Sequence, residues 1–242
     1  MPMTLTLVFA EAALELVPRE IVNHPSIFAH AKRRGKKADE ILLDVSYHHA
    51  AMRPFERFEK RGRPDIVHFS VLEALGSPLN KEGELETWIH TVKDEVIRVA
   101  ARTRLPRNYD RFVSLMEQLL KERQVPPKGE ALLQAEPLPL DQLVERIGPT
   151  KLIGLSTLGR PATLEEICGS LLKEKKPAIM LGGFAGGHFA ERNAALCDEM
   201  FRIDREALDS WVVTSRTIYE YERVMKGFHK RRLISHIAKK RQ

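Results

Sequence analysis

Ala178-Ile-Met-Leu-Gly-Gly-Phe-Ala-Gly-Gly187 is a short apolar run that opens into a loop with four glycines among six residues. The run Ala178 to Leu181 has the length and composition of a buried strand. Strands on both sides of it have the same character: Leu152-Ile-Gly-Leu-Ser156 before it and Glu199 to Ile203 after it. A helix lies between the first two, predicted over Thr163 to Glu174, with Thr163 as cap and Glu166 three residues on. Strand and helix in alternation predict an α/β fold with a parallel sheet over the C-terminal half. In such sheets ligands bind beyond the carboxyl ends of the strands, and glycines there let a ligand approach the backbone. Two readings of Gly182 to Gly187 therefore stand: a turn that requires positive φ, and a loop wrapped around a small cofactor. The spacing is not GxGxxG, and no GxxxxGK[ST] occurs, so neither a dinucleotide fingerprint nor a nucleoside-triphosphate loop is present.

Working outward, Trp211-Val-Val213 packs next, and Thr214 or Ser215 is expected to cap a long C-terminal helix. Residues 125 to 140 are rich in proline and glycine and are expected to be a loop or linker. Toward the N-terminus, Leu5 to Ala10 is a first strand, Ile27 to Arg34 a short basic helix and Ile41 to Val45 a buried strand. His48 and His49 follow in a loop. Arg63-Pro64-Asp65 opens a helix that Gly76 and Pro78 end. Trp88 to Val92 and Val96 to Val99 are strands of a hairpin.

The stretch Arg104-Leu-Pro-Arg107-Asn-Tyr-Asp-Arg111-Phe is electrostatically unusual. Pro106 marks a helix start, the apolar positions from Val113 to Leu120 supply its buried face, and Arg107 and Arg111 are spaced to share one face. Cations at that end oppose the helix dipole, which suits an anion there. The competing reading is a salt-bridged surface, with Asp110 and Glu117 as partners. Asp65 sits among these cations in sequence, either as a helix cap or as a working carboxylate. His68 and His90 lie in apolar elements and are expected to be packed polar residues. No third ligand is spaced to join His48 and His49, so no metal is expected.

The chain has 242 residues, 43% of them hydrophobic, which allows one large domain or two small ones. Lys and Arg total 39 against 33 Asp and Glu, clustered at 32–37, 60–63, 98–111 and 226–241. That clustering favours an anionic partner, nucleic acid first. No apolar run is long enough to span a bilayer, and the N-terminus lacks the charged region of a signal peptide. Two cysteines without CxxC spacing fit a reducing, cytoplasmic interior.

Taken together, Arg63-Pro-Asp65-Ile-Val-His-Phe-Ser, Ser77-Pro-Leu-Asn-Lys81 and Thr103-Arg104-Leu-Pro-Arg107-Asn-Tyr-Asp-Arg111-Phe-Val-Ser-Leu-Met116 resemble a known family. It is the ribosome-biogenesis pseudouridine N1-methyltransferases of archaea and eukaryotes, within the SPOUT superfamily. The resemblance spans nearly the whole chain. It implies a single domain over 1–242, with an inserted extension at about 45–125 and a deep trefoil knot and cofactor region at about 150–242. It implies S-adenosylmethionine held by three loops, on Leu155, Ser156, Gly182, Gly183, Phe184, Gly187, Ile203, Leu208, Trp211 and Val213. It implies a homodimer acting on a loop of small-subunit ribosomal RNA. Asp65 is then the candidate catalytic group, accepting a hydrogen bond from N1–H of pseudouridine. Arg63, Arg104, Arg107 and Arg111 are candidate RNA contacts. The same basic patches suit an RNA-binding assembly factor with an idle pocket. A transfer-RNA methyltransferase of the same superfamily would keep the pocket and change the RNA.

Overall fold

The structure is a computed structural model describing the backbone of residues 4–239 and the side chains of residues 4–226. In chain order the elements are β1 (Leu5–Ala12), α1 (Pro25–Arg33), α2 (Val45–Met52), α3 (Pro64–Gly76), α4 (Pro78–Lys81), β2 (Leu85–Thr91) and β3 (Glu95–Val99). Then follow α5 (Tyr109–Glu122), β4 (Gln124–Val125), β5 (Leu133–Pro137), α6 (Leu140–Ile147), β6 (Lys151–Pro161) and α7 (Leu164–Leu171). The chain continues through β7 (Pro177–Gly182), α8 (Glu191–Ala194), β8 (Glu199–Arg202) and α9 (Ser210–Lys239).

The strands form one sheet in the order β4-β5-β3-β2-β1-β7-β6-β8. From β2 to β8 the neighbours are parallel, and from β2 to β4 they are antiparallel. The expected parallel sheet is thus part of a mixed one. The β2–β3 connection is too short for a crossover, which only a hairpin accommodates. Central β1 is buried along its whole length, as a strand covered on both faces must be. Leu5, Leu7 and Phe9 face a core with α3, α5, α7 and α9, whereas Val8 and Ala10 face the layer that contains α6. α1 and α2 close a third apolar cluster around Ile27, Leu43 and Met52.

Several expected elements differ. Residues 41–44 are not a strand: Leu42 makes a single antiparallel bridge to Leu16. Asp44 then caps α2 by accepting from the Ser46 N–H at 2.8 Å. His48 and His49 therefore lie on a helix, and His48 is fully buried. Residues 125–140 form a long loop only over 126–132; Val125 ends β4, and Leu133–Pro137 form β5 at the sheet edge. The arginine-led helix begins at Tyr109, not at Pro106. Asn108 caps it by accepting from the Arg111 N–H at 3.0 Å, a stronger start signal than proline at the first helical position. Arg107 precedes the helix and does not share a helical face with Arg111. The last helix begins at Ser210, so Trp211 to Val213 form its first turn and Thr214 donates its hydroxyl to the Ser210 carbonyl at 2.8 Å. Thr163 and Glu166 form the expected capping box. The basic tail beyond Lys226 lies outside the residues whose side chains are described.

His48 also sets an acid limit on stability. Its Nδ1 accepts from the Asp44 N–H at 3.0 Å, and its Nε2 meets His30 Nδ1 at 2.8 Å. Burial pushes the His48 imidazole down to about 4 from 6.5. The unfolded chain takes up this proton near pH 6.5 and the folded chain resists it. Stability is therefore full above pH 6.5 and declines as pH falls towards 4. Between pH 7 and 4 the wild type should lose roughly 3 kcal/mol more than a His48→Gln variant. Urea unfolding at the two pH values measures the difference, and equal losses would exclude His48 as a source.

Candidate active site

β7, β6 and β8 lie side by side, and the part of β6 at Leu155–Thr157, just beyond its pairing with β7, encloses with the loops after β7 and β8 a pocket of about 280 Å³. Its apolar wall includes Leu155, Phe184, Phe189, Ile203, Leu208 and Val213. Ser156, Arg202, Asp204 and loop backbone provide the polar part. Such a wall can hold a molecule with a flat apolar portion and a charged tail. Of the residues expected here, Leu155, Ser156, Gly182, Phe184, Gly187, Ile203, Leu208 and Val213 line the pocket; Gly183 and Trp211 do not. Gly183 instead lies against β1: a Cβ there would come 2.7 Å from Ala12, and its N–H donates to the Ala10 carbonyl at 2.9 Å. Trp211 turns towards α3 and meets Phe69 edge-on with ring centroids 5.3 Å apart. Gly187 has φ of +82°, so both readings of the glycine loop meet in it: a turn that needs glycine also forms a pocket wall.

A buried ion pair fixes this loop. Glu11, at the end of β1, takes the left-handed region with φ of 51°. Its carboxylate accepts from Lys60 Nζ at 2.7 Å, the Ala190 N–H at 2.6 Å and Asn193 Nδ2 at 2.8 Å. Lys60 also donates to the His188 carbonyl and sits 4.5 Å from the centre of the Phe184 ring. The side chains of Lys60 and Glu11 are each only 8% exposed, so each charge depends on the other. The sequence reading passed over this pair. Glu11 follows an apolar run, and that position in a central strand was the available signal; Lys60 was hidden in a basic cluster.

The second half of the site lies on α3 and the segment before α5. Asp65 is the second residue of α3 and does not cap it. Its two oxygens accept from Arg63 Nε at 2.8 Å and Nη2 at 2.7 Å, a forked pair. This pair holds the Arg63 guanidinium above its usual pKa, aided by the nearby charge of Asp209. Ser70 on α3 donates to Ser210 of α9 at 3.2 Å, and Ser210 lines the pocket. The middle of α3 thus meets the start of α9, and Asp209, just before α9, acts on the Arg63 guanidinium, which sets the Arg63–Asp65 pair near the start of α9.

Residues 103–111 alternate between anchors and arginines. Thr103 donates to the Leu132 carbonyl at 2.9 Å, and Leu105 is buried. His68 donates from Nε2 to the Pro106 carbonyl at 2.7 Å and stacks on Phe112. Tyr109 donates its hydroxyl to Asp44 at 2.6 Å, and burial with that bond raises the phenol pKa far above its usual value. Between these fixed points Arg104, Arg107 and Arg111 are exposed, and none forms an ion pair among the described residues. Glu117, the acid expected to neutralise them, is buried and engaged by Arg34 and Lys36. The salt-bridged surface is therefore not what forms. Arg104, Arg107 and Arg111 thus form a positive face on an anchored backbone, without acidic partners among the described residues.

Family comparison places both halves in one frame. The EMG1/NEP1 methyltransferase family matches residues 7–222. The chain belongs to that family. The small-subunit ribosomal RNA methyltransferase Nep1 of Thermococcus sibiricus is 44% identical over 218 residues, covering 90% of this chain and 97% of that protein. The Nep1 of Pyrococcus furiosus is 43% identical, covering 90% and 96%. Among solved structures, Archaeoglobus fulgidus Nep1 bound to S-adenosylhomocysteine superposes with a TM-score of 0.81 at 38% identity, covering 93% of this chain and all of that one. The family match includes every candidate site residue from Arg63 to Val213. Among the described residues no cluster of His, Cys, Asp and Glu could hold a metal ion, and no helix is long and apolar enough to cross a membrane.

Proposed function

We propose that this chain transfers a methyl group from S-adenosylmethionine to small-subunit ribosomal RNA, at N1 of a pseudouridine. The observation that carries the reading is the pocket beside three parallel strands, together with a face of unpartnered arginines, in a chain of this methyltransferase family. A relative with the same fold is bound to S-adenosylhomocysteine, the demethylated form of that cofactor. The residues fit the group: Phe184, Leu155 and Ile203 would pack on the adenine, and Asp204, Ser156 and loop backbone would meet its polar parts. The reading includes a trefoil knot over about 150–242, supported by the superposition and by strands β6 to β8 lying in the order β7-β6-β8. It also includes a cytoplasmic homodimer; Leu158, next to pocket residue Thr157, is 73% exposed and would be covered by a second copy.

The cofactor supplies an electrophilic methyl on a good leaving group, so the protein chiefly orients the nucleophile. Pseudouridine has an N1–H where uridine has its glycosidic bond. As the new N–C bond forms and the S–C bond breaks, that proton must leave. Arg63 holds both oxygens of Asp65 in a fixed plane, and each keeps a lone pair. One of these accepts the N1–H, orients the ring and stabilises the positive charge that develops on it. A carboxylate is a weak base towards N1–H, so Asp65 orients the ring and stabilises it during attack; once the N–C bond has formed the proton is strongly acidic and passes from that hydrogen bond to solvent water. Arg104, Arg107 and Arg111 hold the phosphates and splayed bases of the loop.

Calorimetry with S-adenosylmethionine should show one saturable site per chain. Absence of binding would favour an assembly factor whose pocket is idle. An Arg107→Ala variant should retain that binding, yet weaken RNA affinity and lower the salt slope by about one released counterion. An unchanged salt slope would remove Arg107 from the RNA face.

A further inference from the structure

We propose that the cavity between α1, α2 and α5 is a second nucleotide subsite, receiving a residue of the RNA strand that flanks the modified loop. It rests on the RNA-binding reading above. The cavity has a volume of about 390 Å³, lined among others by His30, Arg33, Tyr47, Tyr109, Asp110 and Ser114. Its place is telling: Asp110 and Ser114 lie on α5 on either side of Arg111, so the cavity adjoins the unpartnered arginine face.

Its polar wall is set by backbone. The Asp44 N–H makes Nδ1 of His48 an acceptor, so the neutral ring carries its proton on Nε2. That proton is donated to His30 Nδ1, which leaves the His30 proton on Nε2. His30 is 7% exposed, and its Nε2 has no partner among the described residues. Burial holds both rings below their usual pKa, which keeps them neutral and this pattern fixed. His30 lines the cavity and so brings to its wall a ring N–H that no side chain among the described residues uses. Beside it, Tyr47 is 46% exposed and packs on His30 with ring centroids 4.1 Å apart. Arg33 is exposed, has no acidic partner among the described residues, and stands 5.4 Å from the Tyr47 ring centre. Arg34, its neighbour in sequence, is engaged by Glu117 and Ser114 and holds the wall in place.

The combination discriminates between anionic occupants. A phosphate suits Arg33, and the carbonyl or ring nitrogen of a base suits the His30 donor. An aromatic ring offers contact to a base. Asp110, exposed and without an ion pair, can accept from an exocyclic amine but would repel an acidic peptide.

The test compares two pseudouridine-containing hairpin RNAs, one with extended flanking strands and one trimmed to the loop and its closing pairs. Fluorescence anisotropy of a double Arg33→Ala, Tyr47→Ala variant should show about tenfold weaker binding of the extended RNA and unchanged binding of the trimmed one. Its affinity for S-adenosylmethionine should equal that of the wild type. Both side chains are exposed, and thermal melts matching the wild type verify the fold. Tyr47→Phe alone should retain affinity, since the ring and not the hydroxyl is used. Equal binding of the extended RNA by variant and wild type would overturn the subsite, as would an equal loss on both RNAs. A wild type that binds neither RNA would overturn the RNA reading itself.

Discussion

An Asp65→Asn variant should transfer the methyl group about 10²–10³-fold more slowly in a single turnover, the range expected when one preorganised group that stabilises developing charge is lost. The amide matches the carboxylate in size, and residue 65 does not cap α3, so the helix should form as before. The pair with Arg63 is partly exposed, at 33% and 28% for the two side chains; its loss should cost no more than about 1 kcal/mol of stability. Two roles for Asp65 then separate cleanly. If the carboxylate meets N1–H, the rate falls while the Kd for RNA changes little. If it only aims Arg63 at a phosphate, RNA affinity falls and the rate at saturating RNA is kept. The first outcome is expected, because Asp209, just before α9, acts on the Arg63 guanidinium, and Ser210 at the start of α9 lines the pocket.

A Lys60→Met variant should lose both stability and cofactor affinity. Removing one partner of a buried ion pair typically costs 3–5 kcal/mol, because the remaining charge is left in a poor environment. For a chain of this size that corresponds to a fall of about 10 °C in Tm. The loop from Phe184 to Ala190 would also lose the cation that holds the His188 carbonyl and contacts Phe184. Adding Glu11→Gln should restore much of the Tm, since an uncharged amide can still accept from Ala190 and Asn193. It should not restore affinity for S-adenosylhomocysteine, since the loop remains untied. Recovery of both in the double variant would mean that Lys60 serves stability alone.

The parts of the fold written in periodic apolar runs were legible. β1, β7 and the β2–β3 hairpin, the α3 start at Arg63-Pro64-Asp65 and the Thr163 capping box all lie where sequence reasoning puts them. The errors arose where a local polar contact decides between two apolar readings. Ile41 to Val45 has the composition of a strand, but Asp44 caps a helix. Pro106 resembles a first helical residue, but Asn108 two residues later offers the better cap. β4 and β5 were missed because short edge strands among prolines lack periodicity and gain their register from β3.

The site was legible in unequal parts. The glycine loop and the arginines announce themselves by composition. That the arginines are free was not readable, because it depends on Glu117 being engaged by Arg34 and Lys36 from α1 and the turn after it. The Glu11–Lys60 clamp joins residues 49 positions apart and ties in a loop more than a hundred further on. No local spacing encodes such a contact. Trp211 was assigned to the cofactor by its place in the segment, whereas its ring belongs to the packing of α9 on α3.

The central claim concerns one atom of one base, and a matched RNA pair tests it. Two hairpins of identical sequence, with pseudouridine or uridine at a single loop position, are incubated with the chain and methyl-labelled S-adenosylmethionine. The modified nucleoside is then identified by mass spectrometry. N1-methylpseudouridine is expected from the first RNA and no label in the second, whose N1 carries the ribose. Equal labelling of both, or label only on a transfer RNA supplied in parallel, would contradict the claim.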